Sequence, residues 1–147
     1  MSDEDMALLR ETLPGMTEEC LNIVRYEGIE AYPNDTGRCF EMSEQRRWKG
    51  LWIAEFEYSV FCGPDGMACY PDEAEEATDT VWLSFASGAE QDDIFPNGFA
   101  YDSSSDGIYE IEFLGRITSI RGSHGHMGMS QREIVVSEVI SIELVDD

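Results

Sequence analysis

The chain has 147 residues and a formal charge of −22, from 31 Asp and Glu against nine Lys and Arg, of which only Lys49 is a lysine. That balance excludes direct contact with nucleic-acid phosphates and with anionic membrane surfaces, and no apolar run approaches the roughly 18 to 20 residues that span a bilayer. Hydrophobic residues make up 42% of the chain, which implies a packed core rather than an acidic disordered tail, and the length fits a single domain over 1–147.

Residues 2–12, "SDEDMALLRET", place a Ser/Asp cap and acids in the first turn of a short helix, which Leu13-Pro14-Gly15 interrupts. Thr17 caps a second helix with Cys20, Leu21 and Val24 on one face, ending near Gly28. Residues 32–38, "YPNDTGR", form a turn-rich connection, and "CFEM" after it is expected to be a short strand. From there the period changes to two. In "LWIAEFEYSVF", Trp52, Ala54, Phe56, Tyr58 and Val60 share one face of what reads as one long strand, with Glu55 and Glu57 on the wet side.

"TVWLSF" (80–85), "IYEIEFLGRITSI" (108–120) and "EIVVSEVISIELV" (133–145) repeat the strand signature. Long strands suit a small barrel that bends around its own core, and Gly115 stands where a bend or bulge would fall. Strands without intervening long helices exclude a doubly wound sheet. The expected fold is mainly β (α+β): a small antiparallel OB-like barrel over 39–147, preceded by two short N-terminal helices, with 1–38 packed on it as a helical extension.

The segments "CFEM…RRWKGLWIAEFEYSVFC" and "YEIEFLGRITSIRGSHGHMGMSQREIVVSEVISIEL" resemble a group of uncharacterised bacterial proteins that carry W-x-G-x-W-x-x-x-F-E and G-R…G-H-x-G segments. The matching positions are Trp48, Gly50, Trp52, Phe56 and Glu57, then Gly115, Arg116, Gly125, His126 and Gly128. The resemblance covers about residues 39–144. It implies a shared β-fold and, since that group has no established activity, assigns no catalytic residue.

Both histidines, His124 and His126, lie in one glycine-rich loop. On a strand their i, i+2 spacing would let two imidazoles share a Zn²⁺ with an acid or cysteine from elsewhere. As a loop, with Gly125 and Gly128 at positive φ, one imidazole instead closes the connection on a carbonyl or carboxylate. Cys62 and Cys69 flank a Gly-Pro-Asp-Gly turn, and four sparse cysteines read as reduced thiols rather than a disulfide framework. Residues 1–5 carry neither a basic nor an apolar leader segment, so a cytoplasmic location is expected unless an export signal has been cleaved.

Fifteen acids and no base occur between Lys49 and Arg116, clustered as Asp72, Glu73, Glu75, Glu76 and Asp79 and again as Asp92 and Asp93. Solvated loops explain such runs, and so does a surface that docks on a basic protein. No P-loop, dinucleotide fingerprint, nucleophile elbow or H-E-x-x-H occurs. The expectation is a non-enzymatic acidic binding domain for a basic protein partner, immunity- or inhibitor-like or accessory, that needs no cofactor and binds the acid cluster Asp72 to Asp93 against that partner. The alternative is a metal-binding module or metal-dependent hydrolase with Zn²⁺ on His124 and His126.

Overall fold

A computed structural model describes residues 2–64, 67–70, 80–86, 91–96 and 106–146. Ser2 caps helix α1 (Asp3–Thr12) by accepting the Asp5 N–H at 3.1 Å, and Asp3, Glu4 and Asp5 complement the helix dipole. Thr17 caps α2 (Glu18–Glu27) in the same way. The two helices bury Met6, Leu9, Leu21 and Val24 against one another. A helical turn at Ile29–Ala31 and the one-turn helix α3 (Thr36–Cys39) follow.

The strand expected over 39–42 reduces to two isolated bridges, Met16 to Phe40 and Met42 to Thr118. Here the chain passes between the helical extension and the barrel, so it pairs one residue at a time with each. Glu41 shows this: its N–H donates to the Gly15 carbonyl at 2.9 Å, and its carbonyl accepts from Ser119 N–H at 2.8 Å. These bonds lash the extension to the barrel.

The cysteines correct the expectation of reduced thiols: Cys20 is bonded to Cys39 and Cys62 to Cys69, leaving none free. Spacing alone hid the first pair, because its partners lie on α2 and α3 and meet only when those helices dock.

Five strands follow: β1 (Arg46–Glu55), β2 (Tyr58–Cys62), β3 (Val81–Phe85), β4 (Gly107–Ile117) and β5 (Arg132–Asp146), with a one-turn helix α4 (Gln91–Ile94) between β3 and β4. They close in the order β1-β2-β3-β5-β4, the arrangement of a small OB-like barrel. Four contacts are antiparallel and β3 with β5 is parallel. An odd ring cannot alternate direction throughout, so one parallel pair is the geometric condition for closing five strands.

The single strand expected over 51–61 is a hairpin. Glu55 stands opposite Tyr58, which leaves Phe56 and Glu57 as a two-residue turn. Glu57 takes φ 55° and Phe56 is 83% exposed. Tyr58 and Val60 continue the even-numbered apolar series but face outward, while Trp52 pairs with Phe61 inside the barrel. The pattern therefore conceals the turn, and Glu55 and Glu57 are not neighbours on one strand face.

Gly115 does mark a bulge: the β4–β5 register shifts between Leu114 and Gly115. A Cβ there would lie 2.5 Å from the Val135 carbonyl oxygen, so only glycine permits this approach. Inside, Trp52, Phe61, Leu83, Ile111, Phe113 and Ile134 are almost wholly buried. Trp52 stacks on Tyr109 at 5.3 Å, and its indole N–H is satisfied by Ser59 Oγ at 2.9 Å. Among the described residues no helix is long and apolar enough to cross a membrane.

Candidate functional site

Alternation along β3 and β5 sends Val81, Leu83, Ile134 and Val136 into the core and turns Trp82, Ser84, Glu133 and Val135 outward. The segment from Tyr32 to Phe40 lies over this outer face and leaves a cavity of about 370 Å³ between extension and barrel. The β4–β5 loop forms its end wall. That loop is itself a small ladder: His124 and Ser130 exchange both backbone hydrogen bonds, at 2.8 and 3.1 Å. The Ser130 hydroxyl is tied to Thr80 Oγ1 at 2.8 Å. Gly125 takes φ 75° and lies against the Trp82 indole, where a Cβ would stand 2.5 Å from the ring. Gly125 and Gly128 have the positive φ expected of them.

These constraints bury His124. Its side chain is 2% exposed, Phe40 packs edge-on against the ring at 4.8 Å, and Nδ1 lies 3.7 Å from Glu133 Oε1. At that distance the contact is one of charge and dipole rather than a formed hydrogen bond. His124 Nε2 is buried with no hydrogen-bond partner. Glu133 accepts the Ser84 hydroxyl at 2.6 Å. Burial works to raise the Glu133 pKa, but His124 and the hydroxyls of Ser84 and Thr36 outweigh it and hold the carboxyl below its ordinary 4.5. Tyr32 shifts the opposite way: burial first, then the charges of Glu133 and Asp35, push its phenol above 10.0. The cavity thus holds an ionised carboxylate, a second carboxylate at Asp35, a neutral phenol and an imidazole with one nitrogen unused.

The two histidines face different carboxylates, since His126 Nε2 lies 3.3 Å from Glu57. Among the described residues no three His, Cys, Asp or Glu side chains gather as a metal-ligand set. Of the acids singled out in the sequence, Asp72, Glu73, Glu75, Glu76 and Asp79 lie outside the described residues. Asp92 and Asp93 fall on α4, where Asp93 is exposed.

Sequence reasoning missed Glu133, Asp35, Tyr32 and the extension as a roof. One signal was available: in "VWLSF" Trp82 puts a large ring on the face opposite Val81, Leu83 and Phe85, so something is expected to cover that outer side. No family model matches the chain, and neither a curated protein nor a solved structure does.

Proposed function

We propose that the protein is a non-enzymatic acidic binding domain that engages a basic protein partner, in an immunity- or inhibitor-like or accessory role. The observation that carries this reading is where the charge sits. Among the described acids only Glu133 is buried. Arg10, Arg25, Arg38 and Arg47 are meanwhile engaged with Glu18, Asp3, Glu19 and Glu112. Among the described residues the surplus of negative charge therefore lies at the surface.

The strand register supports the same reading. Glu110 stands directly opposite Glu143 on β4 and β5, and both are exposed. Like charges so placed repel one another, with Lys49 of the neighbouring strand lining the same groove, and a further cation seated there would relieve the repulsion. Ser84 donates its hydroxyl to Glu133 rather than to His124, so it does not form a nucleophile–base pair with that imidazole. The two disulfides support an oxidising compartment rather than the cytoplasm as the site of action.

The test is capture of partners on the immobilised protein at about 0.05 M and about 0.5 M salt, where screening lengths differ several-fold. A basic protein retained at low salt and released at high salt is the expected result. Replacing Asp72, Glu73, Glu75, Glu76, Asp79, Asp92 and Asp93 by their amides should slow its association. Absence of any salt-sensitive partner would refute the reading, and a stoichiometric transition metal in the purified protein would favour a metal module instead.

A further inference from the structure

We propose that the cavity beneath the N-terminal extension is a socket for one alkyl guanidinium or alkyl ammonium group, held by Asp35, Glu133 and His124 Nε2. Its volume of about 370 Å³ suits a small ligand or a single long side chain. Two carboxylates line it, and among the described residues no Lys or Arg does. At the margin, Arg116 Nη2 and Asp35 Oδ1 each lie 3.7 Å from where a Gly37 Cβ would stand, so Arg116 approaches Asp35 without lining the cavity, and Glu133 is the carboxylate left without a nearby Lys or Arg among the lining residues. Asp35 occupies the N-cap position of α3 yet makes no capping hydrogen bond with its side chain, so its carboxylate is not consumed by the helix. Tyr32, Phe40, Trp82 and Phe85 supply aromatic wall, which favours a cation over an anion.

The unused imidazole nitrogen points to the same ligand class. His124 lines the cavity with its Nε2 buried and without a hydrogen-bond partner, and a buried polar atom left unpaired is penalised. A ligand N–H removes that cost. A neutral hydroxyl would satisfy Nε2 but bring no positive charge to Glu133, and an anion would meet both carboxylates. The roof is preformed, since the Cys20–Cys39 bond anchors the residue preceding Phe40. The socket deepens the binding-domain reading, and it rests on that reading only for the idea that the cation belongs to a protein side chain.

The test follows the His124 imidazole by long-range ¹H–¹⁵N spectra of the labelled full chain while three probes are added. They are agmatine, a capped Gly-Arg-Gly peptide, and the same peptide with citrulline for arginine. A shift of Nε2 with agmatine, the arginine peptide or both is expected, with little response to citrulline. Asp35→Asn and Glu133→Gln should each weaken the response by about tenfold or more, as loss of a hydrogen bond to a charged group implies; Asp35, half-exposed and uninvolved in capping, keeps the test valid if the Glu133 variant folds poorly. Binding of agmatine without the peptide assigns a free amine and removes the protein side chain as source. No Nε2 shift with either cation, or an equal response to citrulline, overturns the socket. If the socket fails while salt-sensitive capture persists, the binding-domain reading stands, and the reverse outcome sinks that reading alone.

Discussion

The Cys20–Cys39 bond links α2 to α3 across 19 residues, and closing a loop of that length removes enough unfolded-chain entropy to stabilise the fold by about 3 kcal/mol. The Cys62–Cys69 bond spans seven residues and gives about 2.5 kcal/mol on the same basis. For 147 residues the unfolding entropy is about 0.3 kcal/mol per kelvin, so the double variants Cys20→Ala/Cys39→Ala and Cys62→Ala/Cys69→Ala should melt about 10 °C and about 8 °C lower. The two should differ in a second way. Cys39 precedes Phe40, whose ring packs on His124, so the first variant should also move the His124 imidazole resonances while the second leaves them in place. Differential scanning calorimetry with and without reductant, beside the imidazole spectra, measures both effects. Alkylation of native, unreduced protein at any cysteine would refute the pairing, and an unchanged melting temperature after full reduction would refute the stabilisation.

Glu133 has a folded-state pKa below its unfolded value, so its contribution is fully present above about pH 4.5 and is lost as pH falls through the folded value. Glu133→Gln should therefore flatten the acid limb of a stability–pH curve from denaturant melts; an unaltered limb would show that the carboxylate is not linked to folding. Gly125→Ala forces a side chain into φ 75° and against the Trp82 ring, at a cost of about 1 to 3 kcal/mol, visible as a lower melting temperature and altered tryptophan emission. Glu57→Gly relieves a positive φ at the β1–β2 turn while giving up a half-exposed contact with His126 of about 0 to 1 kcal/mol. It should raise the melting temperature by a few degrees, and a fall would show that the His126 contact outweighs the backbone strain.

The strands over 80–85, 108–120 and 133–145 were legible because each combines β-branched or aromatic residues with clear turn boundaries. Both N-terminal helices were legible from Ser2 and Thr17 as caps. The β1–β2 hairpin was not, since Phe56-Glu57 lacks the Asn or Gly that announces a two-residue turn and Glu57 adopts positive φ without it. Tyr58 and Val60 extended an apolar series that had already changed face. The site was half legible: the glycines around His124 marked a tight loop, but its partner Glu133 belongs to the next strand, and Asp35 and Tyr32 arrive from about 90 residues earlier in the chain. Contacts of that range follow from how the extension docks, which no local pattern encodes.

Among the described acids Glu133 alone is buried, which on the proposed binding reading separates it from the surface acids. β5 runs Arg132-Glu133-Ile134-Val135-Val136 beside Trp82-Leu83-Ser84 of β3, and Trp82 and Val135 put apolar surface on the outer face next to Ser84 and Glu133. A strand of that kind must be covered on both faces, and the second cover here is the N-terminal extension rather than solvent. A carboxylate placed in such a run is desolvated, which opposes folding unless hydrogen bonds compensate it. The chain supplies Ser84, Thr36 and His124 to do so, and still leaves His124 Nε2 without a partner. The exposed acids elsewhere are solvated and individually replaceable, so on the proposed binding reading they would set the long-range field and the rate of encounter. Discrimination among cations requires desolvated groups at fixed positions, and among the described acids only Glu133 meets that condition. Neutralising surface acids should thus change how fast a partner arrives, while Glu133→Gln should change how long it stays, a separation that stopped-flow association and dissociation rates measure directly. Equal effects on both rates from either kind of variant would show that the cavity and the surface act as one undivided field.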